Sequence, residues 1–172
     1  MRLILHTVAL ISMLLCATPV LSNEGAVDID NLGMRYGSPK VNLNLNTELI
    51  MMAALLKGNR DPELTDVLSK LELVKIRVYD TKGENTDARN VIDKQSKALA
   101  ERKWHAVIDR EQEGKLTRVF TRSKDQLLAG ILVMTLEDAA HESELSFVNI
   151  IGEISPSQVR KVAETLNFGL GL

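Results

Sequence analysis

The sequence predicts an α+β fold, a mostly antiparallel sheet of about five or six strands with about four helices. Three observations carry this expectation. Four strand-like segments follow one another in the second half, spaced too closely for anything but hairpins. Segments with helical apolar spacing precede and follow them. The chain has 172 residues, 45% of them apolar, with no low-complexity tract, which suits a single domain with a real core.

The chain opens with Arg2 as its only charge in an apolar run over residues 3–17, then Pro19 and the small-x-small sequence Val20-Leu21-Ser22. That order is the pattern of a secretory signal peptide. The run is shorter than the ~20 residues needed to span a bilayer, so no stable membrane span is expected. Cleavage is expected between Ser22 and Asn23, giving a periplasmic or secreted product. Cys16 is the single cysteine and lies inside this leader, so the mature chain has neither a disulfide nor a thiolate. Leu15 stands where lipid attachment needs a small residue, which argues against a lipoprotein anchored through Cys16. The expected organisation is a signal peptide over residues 1–22, a leader arm over 23–39 and one α+β domain over 40–172.

Each element has its own local cause. In the arm, only Val27, Ile29, Leu32, Met34 and Tyr36 can anchor to a core. Val41, Leu43 and Leu45 alternate with Asn42, Asn44 and Asn46, the period of a half-buried strand. Thr47 is placed to cap a helix that Gly58 ends, and Asp61-Pro62 starts another, with Leu64, Val67, Leu68 and Leu71 on one face. The first of these helices is apolar on every side over residues 49–56, which predicts a core position; docking of a partner is the other reading.

Val74, Ile76 and Val78 alternate with Lys75, Arg77 and Tyr79, a strand with one dry and one polar side. A turn at residues 82–85 leads to a charged helix opening at Thr86, with Val91, Ile92 and Leu99 inward. Four strands are then expected, over residues 104–111, 115–122, 126–136 and 144–152. Ser155, Pro156 and Gln158 form a capping box before a last helix with Val159, Val162, Ala163 and Leu166 as its buried stripe. In residues 130–136 and 147–151 the alternation is lost, which predicts central strands buried on both faces. The amphipathic helices at Leu68, Leu99 and Val162 suit one face, leaving the all-apolar helix and the arm for the other.

The succession from Arg77-Val78-Tyr79 through Trp104 and Ala129-Gly130-Ile131-Leu132-Val133 to Val148-Asn149-Ile150-Ile151-Gly152-Glu153-Ile154 and a capped helix resembles an exported bacterial family. That family is catalogued as domain of unknown function 4252. The resemblance implies an envelope-side α+β domain with no established activity, and it transfers no catalytic residue.

Chemistry is sparse. Without the leader, 20 basic side chains face 23 acidic ones, so no basic excess points to nucleic acid. The loop from Glu137 to Glu144 gathers His141 and four carboxylates, but in no EF-hand or zinc spacing, and it reads as a wet hairpin tip. His105 and Asp109 are spaced to share one side of a strand, with no nucleophile elbow nearby. Arg118, Arg122, Lys124, Arg110 and Lys115 cluster near one hairpin, interleaved with acids that cancel their field. No catalytic residue, metal ligand or cofactor is assigned.

The expected function is therefore an exported envelope-side binding or interaction module. Lys75, Arg77 and Tyr79 form its candidate surface, and its partner is an envelope protein or a second copy. The alternative is a small periplasmic hydrolase or metal-dependent enzyme built around His105 or His141.

Overall fold

A computed structural model describes residues 24–56, 62–139 and 142–159. The signal peptide with Ser22 and Asn23, the helix boundary at Gly58 and Asp61, His141, and the stripe at Val162, Ala163 and Leu166 lie outside the described residues.

The elements run β1 (Val41–Asn46), α1 (Thr47–Leu56), α2 (Pro62–Ser69), β2 (Leu71–Asp80), α3 (Asn85–Glu101), β3 (His105–Gln112), β4 (Lys115–Lys124), β5 (Leu127–Ala139) and β6 (Glu142–Ile154). The strands form one six-stranded sheet in the order β1-β2-β6-β5-β4-β3, every neighbouring pair antiparallel. The close spacing of the last four strands had this consequence: a two-residue turn such as Glu113-Gly114, with φ of 51° and 78°, can only fold a strand back beside itself. The described residues hold three helices rather than about four. At the expected last helix they show the Ser155–Gln158 capping box and a 3₁₀ turn over Pro156–Gln158.

Loss of alternation in β5 and β6 has the expected result. Leu132, Met134, Leu136, Leu145 and Phe147 are buried on one face, and Ile131, Val133, Val148 and Ile150 on the other. The covers are distributed differently from the expectation. α3 and the arm share the first face, through Ala88, Ile92, Leu99, Val27, Ile29 and Tyr36. α1 and α2 lie together on the second, through Ile50, Leu64, Val67 and Leu68. The reason is the arm's reach: it crosses β5, β6 and β2 on the face that α3 leaves open, so α1 is not needed there.

Four of the five expected anchors hold the arm; Val27, Ile29 and Tyr36 are buried, Leu32 packs beside them, and Met34 points into solvent. At its start the arm touches the sheet backbone to backbone. A Cβ on Gly25 would sit 1.8 Å from the Ala129 carbonyl oxygen, and one on Gly130 would sit 2.5 Å from Gly25 Cα. Only glycine at both positions permits that approach. Asn149, fully buried in β6, locks it. Its Oδ1 accepts from Val27 N–H at 2.8 Å, and its Nδ2 donates to the carbonyls of Gly25 and Ile131 at 3.1 Å each.

α1 departs from the expected core position. Ile50 is buried and Met51 and Ala54 pack at the margin, but Leu49, Met52, Leu55 and Leu56 face outward. The helix sits over the end of the sheet at β1, where α2 takes the deeper place. A helix apolar on all sides then has a sheet on one side only. Its cap also differs from the expectation: Asn46 Oδ1 accepts from Leu49 N–H at 3.0 Å, while Thr47 Oγ1 donates to the Leu71 carbonyl at 2.7 Å.

Candidate functional site

The polar side of β2 is where the sequence places a binding surface, and the arm covers it. Arg77 is 4% exposed and Tyr79 is 1% exposed. Arg77 Nη2 donates to Asp30 of the arm and, at 2.8 Å, to Asn44 Oδ1 of β1. Lys75 Nζ donates to the other Asp30 oxygen at 3.0 Å, and the Tyr79 hydroxyl donates to the Asp30 carbonyl at 3.3 Å. Lys75, Arg77 and Tyr79 thus do come together, but as the seat of Asp30 rather than as an open face. The correction has a simple cause: a strand's polar side is solvated only if no later segment brings a matching charge to it, and the arm does.

The Lys75 hydrogen bond is the largest influence on Asp30 and holds its carboxyl below the ordinary value of 3.8; burial opposes this and Arg77 adds to the lowering. A carboxyl depressed in the folded state contributes stability that is full above its unfolded pKa and lost as pH falls through the folded one. Asp30→Asn is therefore expected to flatten the acid limb of the stability profile below about pH 4. Thermal melts at pH 7 and pH 3 check this: the parent should lose more on acidification than the variant, and equal losses would contradict the clamp.

Elsewhere, Arg118 of β4 is flanked by acids. Its Nε donates to Asp109 at 3.1 Å, and its Nη1 donates to Asp93 of α3 and to Ser96 Oγ at 3.2 Å. Burial works against the Arg118 charge, but the two carboxylates outweigh it and push its pKa up. These residues line an open groove of about 300 Å³ with Lys97 and Phe120. His105 is exposed at the start of β3, and a bulge between Ala106 and Ile108 breaks the alternation that would have set it beside Asp109. Lys115 pairs with Glu137, and Glu144 with Lys40. Among the described residues no three His, Cys, Asp or Glu side chains converge.

The surface that stands out is apolar. Met52 is 55% exposed, Leu55 69% and Leu56 82%, and Leu49 and Leu43 of β1 are also open. Leu49, Met52 and Leu56 recur at helical spacing, so they form one outward stripe on α1. Sequence reasoning set these residues in the core because a helix without a polar side normally belongs there. The available signal was the absence of any polar residue after Glu48 in the helix, which left its outward side apolar wherever it packed.

With this geometry in hand, comparison with known proteins adds one finding. The family described as Domain of unknown function (DUF4252) matches residues 36–162, well over half the chain. The chain belongs to that family. No curated protein and no solved structure matches it. The DUF4252 span begins at Tyr36, yet the domain's first face is closed by Val27 and Ile29, which precede it. In this chain the family domain is therefore completed by residues outside the family's own span. No helix among the described residues is long and apolar enough to cross a membrane.

Proposed function

We propose that this DUF4252 chain is an exported, envelope-side interaction module that acts by protein contact through the α1 face. One observation carries the reading: α1 has no polar side, and Leu49, Met52, Leu55 and Leu56 are left in solvent together on one helix, whereas Met34, Val107 and Leu127, the exposed large apolar residues away from α1 and β1, stand singly on separate elements. Contiguous exposed apolar surface of this kind marks contact sites in soluble domains. Export rests on Arg2, the apolar run and Val20-Leu21-Ser22, which support a mature chain starting at Asn23.

A photoreactive residue placed at Leu55, in cells exporting the chain, tests the contact. Covalent adducts are expected from Leu55 and not from Asn90, an exposed position on α3. No adduct from Leu55, or equal adducts from both, would overturn the reading. Intact mass of the exported product checks the leader, with a chain beginning at Asn23 expected and one retaining Met1 contradicting it.

A further inference from the structure

The two edges of the sheet are built differently. β3 carries a bulge and the charges of Asp109, Arg110 and Glu111, devices that keep a free edge from pairing with another chain. β1 has none of these. It is Val-Asn-Leu-Asn-Leu-Asn, pairs with β2 in unbroken register and contains no charge and no proline. It also runs directly into α1 and contacts it, with Leu43 exposed on the α1 side of the sheet.

The backbone of β1 shows which groups that edge offers. Arg77 Nη1 donates to the carbonyls of both Leu43 and its register partner Ile76, at 2.8 Å each. Those two carbonyls therefore lie between β1 and β2. Strand alternation then turns the N–H and C=O of Asn42 and Asn44, and the N–H of Asn46, away from the sheet, while the Asn46 carbonyl opens the hydrogen bonding of α1.

We infer that the occupant of this edge is a second copy of the chain, paired antiparallel through β1 about a twofold axis at Asn44. This rests on the α1–β1 contact reading above and names its partner. In that register Asn44 meets its own counterpart as a hydrogen-bonded pair, Asn42 meets Asn46, and Leu43 meets Leu45. Amides stand against amides and leucines against leucines, as an isologous interface requires. The same axis brings both α1 helices to one side of the joined sheet, stripe against stripe. Between Val41 and Leu56 the only charged residue is Glu48, so like-charge repulsion between two copies is confined to that one side chain. Five large side chains, each 44–82% exposed, bring the patch to the upper end of what a monomer leaves open, a few hundred Å². Doubled, and with the strand contact added, it reaches the ~1,000 Å² of a specific interface.

Sedimentation equilibrium of the chain from residue 23 onward, between low and high micromolar concentration, tests this. The parent is expected to dimerise reversibly. Leu55→Glu, on the stripe, and Asn42→Pro, which removes an outward N–H and no bond to β2, are each expected to weaken association at least tenfold. Their melting temperatures should stay close to that of the parent monomer. If Asn42→Pro misfolds, Leu55→Glu still decides. A parent that stays monomeric, or a dimer that survives both substitutions, overturns the inference. A monomeric parent that nevertheless gives adducts from Leu55 with a different protein overturns only the self-pairing and leaves the contact function standing.

Discussion

Leu132→Asp and Val133→Asp are each expected to unfold the domain at 25 °C. The two residues are neighbours on β5 and point to opposite faces: Leu132 lies under α3 and the arm, Val133 on the side of α1 and α2. Each is at most 3% exposed. Removing either side chain forfeits roughly 1.5–3 kcal/mol of apolar burial. The incoming carboxylate must then be desolvated without a partner or taken up protonated, which costs several kcal/mol more. A domain of this size has about 5–15 kcal/mol to lose. Urea titration followed by far-UV circular dichroism checks both variants. If either unfolds at the parent's midpoint, the face it tests is open and the two-sided cover is wrong.

Gly130→Ala is expected to release the arm and cost on the order of 3–5 kcal/mol, the range for loss of well-packed apolar groups. The new methyl has nowhere to go, because Gly25 Cα and O stand 2.5 Å from its position and both belong to backbone. Backbone cannot rotate aside as a side chain does, so the arm must lift. Val27 and Ile29 then leave the core, and Asn149 loses its bonds to Val27 and Gly25. Trp104, the single tryptophan, is buried in the same cluster, and Arg102 beside it donates to the Ala26 carbonyl. The expected readout is therefore a red-shifted tryptophan emission together with lower stability. A variant with the parent's emission and midpoint would show that the arm is not held by this approach.

The sheet was legible in the sequence because its cause is local. Alternation in Val41–Asn46 and in residues 74–79, and its loss in residues 130–136, are properties of consecutive residues, and the Glu113-Gly114 turn leaves one way to connect neighbours. What sequence reasoning missed depends on long-range matches. Asp30 reaches Arg77 across 47 positions and Val27 reaches Asn149 across 122, so no window on the chain contains both partners. One trace of the second was visible: an asparagine in the centre of Phe-Val-Asn-Ile-Ile needs several hydrogen-bond partners if buried, and the sheet alone offers too few. The helix at Leu49–Leu56 failed as a core helix for a different reason. An apolar residue on every side specifies that each side prefers cover, but not that the chain supplies enough of it.

Amide hydrogen exchange at Asn42, Asn44 and Asn46, followed as a function of protein concentration, decides whether β1 pairs with a second copy. These N–H groups point away from β2 and have no strand partner among the described residues. Protection is expected to rise with concentration at these three amides and across the outward stripe of α1, with no such change along β3. Fast exchange at all three, independent of concentration, would contradict pairing through β1.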